Sequence, residues 1–252
     1  MTPVLELRGV SKHFGPVRAL HGVDFHVSAG EVVALMGDNG AGKSTLVKII
    51  SGIYAPDEGE YRFEGEPAGV HGPHDASALG VATVYQDLAL ADNLDVVGNL
   101  FLGREETNLG PLLDETSMES RARELLGTLS TTIPSVRTQV SSLSGGQRQQ
   151  VAIARSLLGA PKVVLLDEPT AALGVPQTAQ VLDLIRRLRD RGLGVVVISH
   201  NLADVFEVAD RIYVLYLGQQ GGDHRVSDVS REDVVAAITG GGPRPNKKEQ
   251  AG

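Results

Sequence analysis

The sequence contains no cysteine. That excludes disulfide staples, thiol nucleophiles and cysteine-based zinc sites, and it fits a reducing compartment. Nor is there an apolar run near the ~18–20 residues that a membrane-spanning helix needs; residues 163–166 and 195–198 are typical of the runs present. No membrane span is expected. The opening Met1-Thr2-Pro3-Val4-Leu5-Glu6 lacks the basic start and apolar stretch of a signal peptide, so the chain reads as cytoplasmic. Basic charge is in deficit, with 23 Lys and Arg against 31 Asp and Glu and a net charge of −8, which argues against a surface built for nucleic acid or acidic lipid. Internal repeats and long low-complexity tracts are also lacking.

What is there is an ordinary globular composition. The 252 residues are 42% hydrophobic and 21% charged, enough for one sizeable core with an inserted lobe. Three short β-branched runs, at 31–36, 162–166 and 194–198, are each followed by polar or glycine-rich residues and then a helical pattern, the rhythm of a parallel α/β sheet. Within 175–191, Val181, Leu182, Ile185 and Leu188 recur at helical spacing among Arg186, Arg187, Arg189 and Asp190, which predicts a helix packed on that sheet. Residues 4–10 and 17–27 have no helix between them and predict an antiparallel β-layer. From 87 to 160 strand-like runs vanish, and helical patterns at 95–102, 117–129 and 144–158 predict a helical insertion. The segment 240–252 has little to bury and is expected to fray.

Gly37-Asp38-Asn39-Gly40-Ala41-Gly42-Lys43-Ser44-Thr45 matches G-x-x-x-x-G-K-[ST] between a predicted strand and a predicted helix. Its glycines let backbone N–H groups turn inward around a phosphate, and the helix start adds partial positive charge. Lys43 would reach the β- and γ-phosphates, and Ser44 would offer a hydroxyl to Mg²⁺. A second half-site follows where the run 162–166 ends: Asp167 is placed for the metal's water shell and Glu168 for polarising an attacking water. A kinase or GTPase fits this much equally well, because the phosphate loop serves many activities.

Leu143-Ser144-Gly145-Gly146-Gln147 opens a helical pattern carrying Val151, Ile153, Ala154, Leu157 and Leu158, another glycine-lined helix start suited to an anion. This run resembles the signature of the ABC ATPases in full. In family order, Phe14 stands where an aromatic stacks on adenine, Gln86 follows the run 81–85, and His200 follows 195–199. The resemblance, over roughly residues 4–240, implies an α/β fold: a P-loop NTPase (RecA-like) core in 1–86 and 161–239, an antiparallel β-layer, an inserted α-helical ABC subdomain at 87–160, and a disordered tail at 240–252. It implies ATP and Mg²⁺ as cofactors. Ser44, Gln86 and Asp167 would surround the metal, and Phe14, the loop from Gly37 to Thr45, Ser144, Gly145, Gly146 and Gln147 would hold nucleotide. Glu168, His200 and Gln86 would serve hydrolysis, His200 by holding the γ-phosphate and orienting water. The implied partners are a second ATP-binding copy, whose signature closes on the ATP of the first, a permease docked near 86–93, and a sugar-binding protein, with no nucleic acid. The implied location is peripheral, on the cytoplasmic face of the membrane.

Gly-Asp-Asn-Gly at 37–40, Val84-Tyr85-Gln86-Asp87-Leu88-Ala89-Leu90, Asn99-Leu100-Phe101-Leu102-Gly103-Arg104-Glu105 and the segment 168–175 look like monosaccharide importers of the ribose, xylose and fructose type. Many of those fuse two cassettes, whereas one is present here. Ala171-Ala172-Leu173-Gly174 departs from the Ser-Ala-Leu-Asp of many ABC proteins and leaves out a contact across the dimer. Competing assignments are a soluble ABC ATPase acting on ribosomes or DNA ends, an exporter subunit, and a nucleotide kinase. The interval from Gln86 to Leu143 has room for a helical lobe but not for a long coiled coil.

Overall fold

The three β-branched runs form the middle of a six-stranded sheet. A computed structural model describes residues 2–108, 112–131 and 133–241, so the expected tail lies, from 242 onward, outside the described residues. The chain opens with β1 (Leu5–Phe14), β2 (Val17–Val27), β3 (Val32–Met36), α1 (Lys43–Ile50), β4 (Glu58–Phe63) and β5 (Glu66–Pro67). Next come α2 (Pro73–Leu79), β6 (Val81–Val84), α3 (Val96–Phe101), β7 (Thr107–Asn108), β8 (Leu112–Leu113), α4 (Glu115–Thr128) and α5 (Gly145–Leu157). Then follow β9 (Val163–Asp167), α6 (Val175–Asp190), β10 (Gly194–Ile198), α7 (Leu202–Val208), β11 (Arg211–Tyr216), β12 (Gln219–Arg225) and α8 (Arg231–Ile238).

The main sheet has the order β12-β11-β3-β10-β9-β6, parallel except for the antiparallel edge strand β12. Its central strands are buried on both faces, which is why they read as continuous apolar runs. Successive side chains still divide between two cores. Val164, Leu166, Val195 and Val197 pack with α6 and the inserted helices, while Val163, Leu165, Val196 and Ile198 pack with α1 and the antiparallel layer. That layer has the order β2-β1-β4-β5. The helices of the insertion start on side-chain caps: Asp95 accepts the Gly98 N–H and Asp114 the Ser117 N–H, satisfying donors that a helix start leaves open.

The expectation that strands vanish between 87 and 160 is corrected by the β7–β8 ladder, which pairs Thr107 with Leu113 and Asn108 with Leu112. Two residues per strand are too few for an alternation to register. Strands β6, β11 and β12 extend the sheet beyond the three runs identified from sequence, and β12 (QQGGDHR) has no alternating pattern and exists by pairing with β11.

Arg211 ties the edge of the sheet to the antiparallel layer. Its guanidinium donates to Glu31 (2.7 Å), to both Asp223 oxygens (2.8 and 2.9 Å) and to the His26 carbonyl (2.6 Å). Burial works to raise the Glu31 carboxyl, but hydrogen bonds from Arg211 and from the Ser28 N–H outweigh it and hold the group below its ordinary value. Arg211→Leu is expected to cost about 3–5 kcal/mol in urea unfolding at neutral pH, because it strands part-buried carboxylates. Since the folded pKa of Glu31 is lowered, its contribution is complete above the ordinary carboxylate range and is lost as pH falls through the folded value. The gap between parent and variant should therefore narrow below about pH 4.

Candidate functional site

Beyond β3 the chain turns at Gly37 (φ 147°), Gly40 (79°) and Gly42 (105°), all in the region that favours glycine. A Cβ at Gly37 would lie 2.4 Å from the Leu215 carbonyl oxygen, and one at Gly42 would lie 2.8 Å from that of Ala19. Only glycine lets the loop lie this close to β11 and β2. Inside the loop, the Asp38 carboxylate accepts the Asn39 N–H (2.7 Å) and the Asp38 carbonyl accepts the Ala41 N–H (3.1 Å). Lys43 folds over it, its Nζ donating to the carbonyls of Gly37 (2.7 Å) and Asp38 (3.0 Å). Helix α1 has no side-chain cap, so the N–H groups of its first turn, Ser44 and Thr45 among them, face outward with partial positive charge and suit a phosphate.

The parallel register assembles the rest. Ile198 stands opposite both Leu35 and Asp167, and Val84 opposite Leu166, so Gly37, Gln86, Glu168 and His200 all leave the sheet at its carboxyl end, where ligands of open α/β sheets bind. His200 Nδ1 lies 2.8 Å from Glu168 Oε1. The Glu168 side chain is 17% exposed and that of His200 78%, so the imidazole projects outward from a carboxylate that is mostly covered. Glu168 holds a left-handed backbone (φ 48°) that costs a non-glycine residue about 1–3 kcal/mol, and its N–H is pinned to the Ile198 carbonyl (2.9 Å). Burial first, and then the adjoining Glu168 charge, raise the Asp167 carboxyl, while Lys43 opposes both. The Thr170 hydroxyl donates to Asp204 (2.7 Å), tying the segment after Glu168 to α7 just beyond His200.

At the start of α5, Ser144 and Gln147 form a reciprocal capping box: the Ser144 hydroxyl accepts the Gln147 N–H (3.3 Å) and Gln147 Oε1 accepts the Ser144 N–H (2.9 Å). Gly145 and Gly146 have a packing reason that the sequence does not reveal. A Cβ at Gly145 would sit 3.0 Å from Leu173 Cδ2, and one at Gly146 would sit 2.9 Å from Gln177 Cβ. The structure thus gathers Gly37 to Thr45, Asp167, Glu168 and His200 at the sheet edge, while Ser144 to Gln147 open a helix of the insertion.

Phe14, at the end of β1, is 41% exposed and meets Tyr54 edge-on at 5.2 Å, with Lys12 Nζ 5.8 Å from its ring centre. Sequence reasoning missed Tyr54 and Asp204, and it holds Thr170 only as a member of the segment 168–175. It also quoted Asn99 only within a motif; Asn99 is fully buried and exchanges hydrogen bonds with Ala91 (2.7 and 2.9 Å), fastening the segment beyond Gln86. A polar residue inside an apolar helical run is the signal that could have found it. Gln86 is exposed, two residues past β6, between Tyr85 and Asp87, which line a groove of about 550 Å³.

Residues 20–171 match the family described as ABC transporter. The chain is 47% identical over 239 residues to the xylose/arabinose import ATP-binding protein XylG of Sulfolobus acidocaldarius, covering 95% of each chain. It is 46% identical over 252 residues to the fructose import ATP-binding protein FrcA of Rhizobium meliloti, covering 97% of each. A solved ATP-binding cassette of an ABC transporter superimposes with a TM-score of 0.83 at 28% identity, covering 94% of this chain and 99% of that one. Lys43→Ala is expected to abolish ATP turnover while leaving the circular dichroism spectrum intact; undiminished turnover would remove Lys43 from the phosphate site. The chain belongs to the ABC transporter family, in which it is an ATP-binding cassette that hydrolyses ATP.

Proposed function

We propose that this cassette works as one of a pair beneath a separate permease and drives uptake of a monosaccharide. The observation that carries this reading is its end-to-end likeness to two sugar-import ATP-binding proteins. ATP would lie with adenine on the Phe14 ring and its phosphates in the loop from Gly37 to Thr45. Lys43 would exchange its bonds to the neutral Gly37 and Asp38 carbonyls for stronger bonds to the anionic oxygens of the β- and γ-phosphates. Glu168 then takes a proton from the attacking water as the new P–O bond forms, and the β–γ bridging bond breaks to leave ADP and phosphate. His200, donating from Nδ1 to Glu168, aims that carboxylate and turns its exposed Nε2 side toward the γ-phosphate.

The residues present fit Mg²⁺. Among the described residues no three carboxylate or imidazole side chains converge into a metal cage, and a cation sharing its shell with phosphates and water asks only for the few oxygens of Ser44, Gln86 and Asp167. Its charge would also oppose the burial and the Glu168 charge that together raise Asp167. Bound there, it would neutralise phosphate charge in the transition state.

Each nucleotide needs Lys43 from one copy and Ser144 to Gln147 from the other, so ATP closes the pair and hydrolysis releases it. That difference biases a permease between its inward- and outward-facing states. Residues 1–86 and 161–239 act as the core and 87–160 as the handle, with the permease seated at 86–93 and a sugar-binding protein on the far side. Among the described residues no helix is long and apolar enough to cross a membrane, which suits a peripheral subunit on the cytoplasmic face.

Glu168→Gln keeps the shape and removes the base. ATP binding should persist, single-turnover hydrolysis should fall by about 10²-fold or more, and sedimentation should show an ATP-held dimer; near-normal turnover would place the base elsewhere. In vesicles holding the permease and supplied with the sugar-binding protein, labelled monosaccharide should accumulate only with ATP and cassette on the same side. Accumulation that survived omission of the cassette, or Gly145→Asp, would refute the coupling.

A further inference from the structure

Glu168 keeps a backbone conformation that two separate preferences oppose. It is left-handed (φ 48°), which a residue with a side chain rarely adopts, and it precedes Pro169, whose ring pushes the residue before it toward extended backbone. A second left-handed residue, Ala172 (φ 59°), follows in the same segment. Strain of this kind persists only where the surroundings over-determine the chain, and here hydrogen bonds on both sides do so. The Glu168 N–H donates to the Ile198 carbonyl (2.9 Å), and the Glu168 carbonyl accepts the Ala171 N–H (3.1 Å), closing a tight turn. Midway between the two left-handed residues stands Thr170, half-buried next to the buried Pro169, and its hydroxyl donates to Asp204 (2.7 Å).

Asp204 is well placed to hold that turn. The start of α7 is capped by Asn201, whose Oδ1 accepts the N–H groups of Ala203 (2.9 Å) and Asp204 (3.4 Å), while the Asn201 N–H donates to the hydroxyl of the buried Ser199 (3.0 Å). The Asp204 carboxylate is thus not needed for the cap and is left to hold Thr170, in a bond that its charge strengthens. The His200 imidazole is a weaker anchor for the same turn. Its side chain is 78% exposed, so water competes for its 2.8 Å bond to Glu168. Resting on the reading of Glu168 as the base, we propose that Thr170 and Asp204 are positioning residues for ATP hydrolysis: their bond clamps the turn behind Glu168 to the capped start of α7. The clamp keeps the carboxylate on His200 and in line with the attacking water. Without it the turn relaxes toward the extended backbone that Pro169 favours, and the change of φ at Glu168 swings the carboxylate away from both. A displacement of about 1 Å at a reacting group costs about a hundredfold in rate, so a small relaxation is enough. The loop from Gly37 to Thr45 and the Phe14 ring lie outside the clamp, so nucleotide binding does not depend on it.

The test measures ATP binding, steady-state turnover and single-turnover hydrolysis on the whole chain. Thr170→Val and Asp204→Ala are each expected to lower kcat by about tenfold or more while KM for ATP stays within about twofold of the parent. Combined, they should cost no more than either alone, because both remove one bond. Thr170→Ser keeps the donor and Asp204→Asn keeps an acceptor oxygen, so both should recover most of the turnover. An inactive Asp204→Asn would make the carboxylate itself the requirement and overturn the clamp. In the Glu168→Gln background, Thr170→Val should change the residual rate by less than about twofold, since a clamp that acts through the base then has nothing to aim. A loss that persists in that background, or a matching rise in KM, assigns Thr170 to the fold alone and overturns the proposal. Parental turnover of Thr170→Val beside an inactive Glu168→Gln overturns the clamp and leaves Glu168 as the base. Near-normal turnover of Glu168→Gln overturns the base and the clamp together. Asp204→Ala, on the other side of the bond, carries the same test should Thr170→Val not fold.

Discussion

The site depends on the parallel register of β3, β10 and β9. These strands are buried on both faces, and alternate residues belong to different cores, so a slip of one residue would exchange two hydrophobic sets at once. Hydrophobic burial therefore pins Ile198 opposite Leu35 and Asp167. Once those strands end in line, the residues beyond them have no choice of neighbourhood. Glu168 meets His200 because their strands are adjacent, and the phosphate loop lies one strand further along.

The two glycine-lined helix starts are built differently. Gly42 places no side-chain cap on α1, whereas Ser144 and Gln147 already satisfy each other at the start of α5. A phosphate reaching Ser144 must compete with an existing hydrogen bond, while one entering the loop meets free backbone donors and Lys43. In a single copy the loop is therefore the stronger anion site. The proposed order, with nucleotide held first in the loop and then covered by the partner's signature, accords with that inequality.

The phosphate loop was readable from sequence because its glycines answer to backbone geometry, with positive φ at Gly37, Gly40 and Gly42. The central strands were readable because burial on both faces leaves a continuous apolar run. Other features depend on contacts between distant segments and leave no local pattern. Nothing near Thr170 announces Asp204, and nothing in QQGGDHR announces a strand until β11 lies beside it. Gly145 and Gly146 were read as anion donors alone, yet Leu173 and Gln177 fill the space that side chains there would need. The β7–β8 ladder was missed because two residues cannot show a period.

That packing bears on the departure at Ala171-Ala172-Leu173-Gly174. Gly174 begins α6 without a side-chain cap, and Gln177 Oε1 occupies a point 2.8 Å from where a Cβ of residue 174 would be. An aspartate there would have to displace it. The same Gln177 lies over Gly146, and Leu173 lies over Gly145, so the segment that leaves Glu168 rests directly on the signature of its own subunit. Thr170 fixes the near end of that segment to α7, and α7 begins just beyond the His200 that touches Glu168. On the proposed mechanism, a shift of Glu168 or His200 on hydrolysis would reach Gly145 and Gly146 through these packed side chains, without a charged contact at position 174. If that signature serves the nucleotide of the other copy, as proposed, the route would join the two ATP sites from within one subunit.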